Sequence, residues 1–262
     1  MSKPAVLVLR APGINCERET LHGFELAGAT CEYVHIKRLI ERPDLLDNFS
    51  ILAIPGGFAY GDDIAAGLVL ANEMKRRMGE RLLGFIDRGG LALGVCNGFQ
   101  VMVRLGLLPR TGGNDLRQEI TLSPNLSNHY ECRWVTLKSQ DSRCAFLEPN
   151  LELRLPAAHG EGYLMTPDEQ TSQLLSDEGY VALCYIETEG SATEVYPTNP
   201  NGSPGGVAGL TDVTGRVLGL MPHPDRAYLP FHMPQWRRDG LAEQGDGMAI
   251  FASMVELARA EA

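Results

Sequence analysis

The segment Leu91-Ala92-Leu93-Gly94-Val95-Cys96-Asn97-Gly98-Phe99-Gln100 places a cysteine between a short apolar run and a helix-like stretch, with a glycine two residues away on each side. A cysteine so placed reads as a nucleophile on a sharp strand-to-helix turn. The start of the helix offers free N–H groups and the positive end of its dipole, both of which favour a thiolate able to attack at neutral pH. Burial in an apolar strand is the plainer reading of any single cysteine. Here Gly94 and Gly98 argue for the turn, because glycine weakens a strand or helix interior unless the backbone must bend tightly or approach something closely.

A thiolate nucleophile needs a base, and the base needs a group that orients it. Met221-Pro222-His223-Pro224-Asp225-Arg226 supplies a histidine and a carboxylate at i and i+2. In an extended segment these side chains point the same way, and the prolines keep the chain out of a helix. An H-P-D tripeptide is also a common capped turn. Its position at the end of the apolar run Val217 to Met221 favours the catalytic reading. His159 competes as base, but a loop histidine beside glycine is more simply a backbone anchor. Asp62-Asp63 reads as a helix N-cap, and no metal site is predicted.

These residues must be positioned by the elements around them. Ala5 to Leu9, Cys31 to Ile36, Ser50 to Ile54 and Leu91 to Val95 read as strands, and Cys16 to Ala27 as a helix ended at Gly28. Asp62 to Asp87 reads as a long helical region with Ile64, Leu68, Met74, Met78, Leu82 and Phe85 near one face. This β-α-β order predicts an α/β fold with a mostly parallel sheet, helices on both sides, and a site at the carboxyl ends of strands. Pro55-Gly56-Gly57-Phe58 and Cys96 both occupy such ends. In the second half, Glu131 to Lys138 and Tyr180 to Glu187 read as strands. Val207 to Leu210 and Arg216 to Met221 read as a hairpin around Thr211 to Gly215, after a long loop from Tyr196 to Gly206. A final helix from Asp246 to Ala260 places Phe251, Met254, Val255 and Ala258 on one face. No repeat or boundary divides the chain, which is read as a single domain, 1–262.

A chain of 262 residues that is 44% hydrophobic can bury a sizeable core. Its formal charge of -10, with no Lys/Arg-rich run, disfavours nucleic acid or an anionic membrane as partner and leaves a small polar substrate or a protein. The opening apolar run is too short for a signal peptide or a membrane span, and no later segment is long enough, so a cytoplasmic location is expected. The 6 cysteines form no C-x-x-C pair or zinc-spaced cluster and are read as free thiols. No phosphate-loop or dinucleotide-binding glycine motif is present.

Val95-Cys96-Asn97-Gly98-Phe99-Gln100 resembles the C-x-G-x-Q nucleophile motif of class I glutamine amidotransferases, and Met221 to Arg226 resembles their H-x-E segment. More narrowly, Gly13-Ile14-Asn15-Cys16, Pro55-Gly56-Gly57-Phe58-Ala59-Tyr60-Gly61-Asp62, Ala158-His159-Gly160-Glu161-Gly162 and Asn199-Pro200-Asn201-Gly202-Ser203 are similar to motifs of the glutaminase components of phosphoribosylformylglycinamidine synthase, in de novo purine synthesis.

The resemblance implies a flavodoxin-like architecture with additional antiparallel strands. It implies that Cys96 attacks the side-chain amide of glutamine, that His223 manages the protons and that Asp225 orients the imidazole. Glutamate and ammonia then form through a thioester. The N–H groups of Gly57 and Asn97 match the oxyanion hole. Gln100 matches a residue that holds substrate glutamine, and Gly160 a main-chain contact to its amino-acid end. No cofactor is implied in this chain. ATP and magnesium belong on a partner synthase subunit, which amidates formylglycinamide ribonucleotide, and the complex has room for a further small subunit. Two positions depart from the family pattern: Asp225 stands where glutamate is usual, and Tyr163 where a basic residue is common, at a position bearing on a partner contact or on the glutamine end of the site. The alternatives are a glutaminase serving a different synthase and a catalytically weak regulatory module of the complex. The segments Gly56 to Asp62 and Asn199 to Ser203 disfavour the first, and intact Cys96 and His223 the second.

Overall fold

The computed structural model describes residues 3–113, 115–187 and 190–261. β1 (Ala5–Arg10) is buried from Val6 to Leu9 without in-out alternation, as a parallel strand covered on both faces must be. α1 (Glu17–Leu26) leads to β2 (Thr30–His35), and α2 (Ile36–Glu41) to β3 (Ile51–Ile54). α3 (Leu68–Asp87), β4 (Leu91–Val95) and α4 (Asn97–Leu105) follow. The second half runs through β5 (Thr121–Pro124), β6 (Glu131–Ser139), β7 (Glu152–His159), β8 (Glu161–Met165), α5 (Glu169–Asp177) and β9 (Val181–Tyr185). It ends with the hairpin β10 (Val207–Thr211) and β11 (Val217–Leu220), the short α6 (Trp236–Asp239) and α7 (Met248–Ala260).

One 9-stranded sheet has the order β2-β1-β3-β4-β11-β10-β9-β6-β7. From β2 to β11 neighbours run parallel, and from β11 outward each pair is antiparallel. β5 and β8 pair separately. This is the flavodoxin-like α/β architecture with added antiparallel strands. Right-handed crossovers put α1 on one face, where it packs with α7, and α3 and α4 on the other. The strand order reverses direction at β1, so the carboxyl ends of β1, β3 and β4 open into a crevice. β7 lies at the far edge of the sheet, yet the Pro156 carbonyl accepts from His223 N at 2.8 Å, just beyond β11. The antiparallel half therefore curls back over that crevice.

The long helix starts later than its sequence suggests. It begins at Leu68, and before it the chain turns through left-handed conformations at Tyr60, Asp62, Ile64 and Gly67. Ile64, expected on the apolar face, is 88% exposed, whereas Met74, Met78, Leu82 and Phe85 are buried. The Asp62 side chain is the reason: its Oδ1 accepts from Gly67 N at 3.1 Å and closes a turn in place of a first helical turn. His159, expected in a loop, is the last residue of β7. Among the described residues no helix is long and apolar enough to cross a membrane.

Candidate active site

Cys96 follows β4 directly, and its backbone sits at φ 51, ψ -108. That conformation is strained for a residue with a side chain. It is held by the Cys96 N–H, which donates to Leu220 O of β11 at 2.8 Å. The flanking glycines are needed for contact. A Cβ at Gly98 would lie 1.8 Å from Ile54 O, and one at Gly94 would lie 2.8 Å from the Gly98 carbonyl carbon. The helix can start so close to β3 and β4 only without side chains there. Cys96 Sγ then points toward the edge strand and donates weakly to Ala158 O at 3.6 Å.

His223 stands at the corresponding place beyond β11, the strand next to β4. Pro224–Arg226 forms a single 3-10 turn with proline at its start, where a missing N–H costs nothing. The histidine and carboxylate therefore meet through a tight turn and not, as the sequence suggests, along an extended segment. Asp225 Oδ1 lies 3.1 Å from His223 Nδ1, with both side chains buried. Nε2 has no protein partner among the described residues. Burial opposes charge on the ring, but the charges of Asp225 and Cys96, with the hydrogen bond to Asp225, outweigh it and hold His223 well above the usual histidine range.

Cys16 entered the sequence reading as the start of a helix and through its motif, with no chemistry assigned to it. It lies at the carboxyl end of the loop after β1, buried against the same histidine. Its sulfur accepts from Arg226 Nη2 at 3.1 Å and donates to Asn15 Oδ1 at 3.3 Å. The space a Cβ of Gly56 would need is bounded by His223 Cε1 at 2.9 Å, Cys16 Sγ at 3.3 Å and Cys96 Cβ at 3.5 Å. Among the described residues Cys16, His223 and Asp225 bring donor atoms within 4.8 Å of one another. The Arg226 guanidinium on Cys16 makes this a hydrogen-bonded charge cluster, since it puts a cation beside a metal's would-be ligand. The available signal was position alone: a polar loop at the end of a strand that ends beside β3.

Gly57 has φ 143, and a Cβ there would fall 2.6 Å from Gly13 O, so only glycine carries the chain past the loop after β1. Neither the Gly57 nor the Asn97 N–H finds an acceptor among the described residues. The Asn97 side chain works behind the site: its Oδ1 accepts from Ala59 N at 2.9 Å, and its Nδ2 donates to Asp62 Oδ1 and to Gln100 Oε1, each at 2.9 Å. Gln100 Nε2 in turn donates to Glu161 O at 2.6 Å. One amide network thus ties the loop after β3, the start of α4 and the turn between β7 and β8 around a cleft of about 170 Å³.

Of the residues singled out from sequence, Gly57, Cys96, Gln100, Gly160 and His223 line this cleft. Asp225 sits behind the imidazole. Tyr163 is outside the lining, on β8 opposite Ser123 of β5. His159 does line the cleft, but its Nδ1 is bound to Asn125 Oδ1 at 3.1 Å. Burial, aided by the charge of His223, pushes it down to about 3, which leaves it neutral at physiological pH.

The chain is 45% identical over 260 residues to the phosphoribosylformylglycinamidine synthase subunit PurQ of Dehalococcoides mccartyi, covering 99% of each chain. It is 44% identical over 238 residues to the subunit of that name in Methanococcus maripaludis, covering 89% of this chain and 87% of the other. A chain in the solved structure of PurLQS from Thermotoga maritima has the same fold at a TM-score of 0.71 and 29% identity, over 97% of this chain and 99% of that one. A profile of the CobB/CobQ-like glutamine amidotransferase domain matches residues 3–257, a span that runs through both Cys96 and His223. This chain therefore belongs to the CobB/CobQ-like glutamine amidotransferase domain family.

Proposed function

We propose that this chain is the glutaminase subunit of a phosphoribosylformylglycinamidine synthase, active in the cytoplasm as one domain. It hydrolyses L-glutamine to glutamate and ammonia. A partner synthase subunit, with a further small subunit in the complex, uses the ammonia and ATP to convert formylglycinamide ribonucleotide to its amidine. The observation that carries the chemistry is the convergence of Cys96 and His223 at the carboxyl ends of the paired strands β4 and β11. Full-length similarity to subunits of that name supports the choice of synthase.

The residues take these roles. Cys96 sulfur, as thiolate, attacks the amide carbon, and the N–H groups of Gly57 and Asn97 receive the oxyanion. The protonated Nε2 of His223 gives its proton to the leaving nitrogen, so ammonia departs and a thioester remains. Neutral His223 then takes a proton from water as the water attacks the thioester, and collapse of the second tetrahedral adduct releases glutamate and restores the thiolate. Asp225 keeps the ring oriented and stabilises its charged form. Gln100 and Gly160 receive the amino-acid end of the substrate.

The test is reconstitution with the cognate synthase subunit, formylglycinamide ribonucleotide, ATP and glutamine labelled with ¹⁵N in its side-chain amide. Label should appear in the amidine product. Glutamine hydrolysis without transfer in the complete system would refute the assigned synthase, and absence of hydrolysis would refute the glutaminase.

A further inference from the structure

We propose that Asp62 is the receptor for the α-ammonium group of the substrate and so selects an α-amino acid amide over amides that lack the amine. This rests on the glutaminase reading of the same cleft. A substrate that carries a fixed positive charge into the cleft is best met by a carboxylate there, because a charge withdrawn from water without a partner is unfavourable.

Two side-chain carboxylates line the cleft, Asp62 and Glu161. Glu161 already faces Arg104, with Nη2 to Oε2 at 3.8 Å. Asp62 has no ion-pair partner within 4.0 Å among the described residues. Arg104, the one cation whose charge bears on it, spends its Nε on Ala66 O at 2.7 Å. The Asp62 carboxylate is fixed nonetheless, since Oδ1 accepts from both Gly67 N and Asn97 Nδ2. Those are neutral donors, so the negative charge is oriented and not neutralised. Burial raises its pKa, the opposite of what an ion pair would do.

Its place in the cleft suits the role. Asn97 Nδ2 is shared between Asp62 and Gln100, and Gln100 reaches the Glu161 carbonyl next to Gly160. Asp62 thus shares a hydrogen-bond network with Gln100, at the end of the cleft assigned to the amino-acid part of glutamine. The left-handed turn Tyr60-Gly61-Asp62, with φ of 55, 72 and 53, is the backbone device that presents the side chain there.

The test compares L-glutamine with glutaramate, the same amide without the α-amino group, in the complex of this chain with its synthase. Asp62→Asn should lower kcat/KM for glutamine about 10- to 100-fold, the scale of one lost charge-assisted hydrogen bond. The loss should fall mainly on KM and leave glutaramate hydrolysis within about threefold, so that discrimination collapses. Glu161→Gln should keep the discrimination. An equal loss for both substrates would show that Asp62 acts only by holding Asn97, and a collapse in Glu161→Gln would move the ammonium to that residue. Either overturns the proposal. Binding to Cys96→Ser protein with Asp62 intact gives a second reading by calorimetry. Glutamine should bind at least about tenfold more tightly than glutaramate, and equal binding would also overturn it. Wild-type complex that hydrolyses neither amide would instead indict the glutaminase reading.

Discussion

Asp225 Oδ1 reaches His223 Nδ1 at 3.1 Å from within a single turn, two residues along the chain. A carboxylate one methylene shorter than the family's usual glutamate is enough here, because Pro224 folds the backbone back on itself and the His223 N–H is pinned to Pro156 O. Asp225→Asn should lower kcat for glutamine hydrolysis by about 10²- to 10⁴-fold, the range set by loss of an orienting carboxylate. The His223 imidazole should also titrate at lower pH, since burial then meets less opposition. NMR titration of the ring beside the kinetic assay checks both, and an unchanged ring would remove Asp225 from the site.

His159 gives a stability signature that His223 does not. Its folded-state pKa of about 3 lies below the ordinary value of 6.5. The stability it contributes is therefore complete above pH 6.5 and is lost as pH falls toward 3, at up to about 1.4 kcal/mol per pH unit for one proton. His159→Gln should flatten urea-unfolding stability between pH 6.5 and 4 while retaining far more kcat than His223→Ala. Matching slopes for wild type and variant would contradict the neutral, buried assignment.

Alkylation should separate the thiols. Cys96 lines the cleft beside His223, Cys16 is buried behind it, and Cys132 is exposed without such a neighbour. Iodoacetamide at pH 6 should modify Cys96 first, and glutamine should protect it. Peptide mapping by mass spectrometry reads the order, and Cys132 reacting first would count against an activated Cys96.

The hairpin of β10 and β11 is braced by a fully buried ion pair, Arg110 Nη2 to Asp212 Oδ2 at 2.7 Å. Asp212 also accepts from the N–H groups of Arg216 and Val217, so it fixes the turn that launches β11 toward His223. Arg110→Met leaves this carboxylate buried and unpaired and should cost about 3–5 kcal/mol in chemical denaturation. A loss below about 1 kcal/mol would mean that the hairpin does not depend on the pair.

Much of this was legible in the chain. The unbroken apolar runs of β1, β3 and β4 announced a parallel sheet, and Cys96 between two glycines announced its own turn. β7 was missed because Pro156 interrupts it, and proline is tolerated there only because β7 is an edge strand with a free side. That edge decides the site, since its curl brings Pro156, Ala158 and His159 to Cys96 and His223. Ile64 was misread because its helical spacing carried no trace of the Asp62–Gly67 turn. Cys16 and Asp62 became functional candidates only once distant loops were seen around one cleft, a relation that periodicity along the chain does not encode.

The central claim is that Cys96 serves only the release of ammonia. In the complex with the synthase subunit, formylglycinamide ribonucleotide and ATP, amidine formation should be measured for wild type and Cys96→Ser, once with glutamine and once with ammonium as nitrogen source. The account predicts that Cys96→Ser loses glutamine-dependent synthesis and keeps the ammonium-dependent rate. Wild-type glutamine-dependent synthesis in the variant, or loss of both rates in a complex that still assembles, would contradict it.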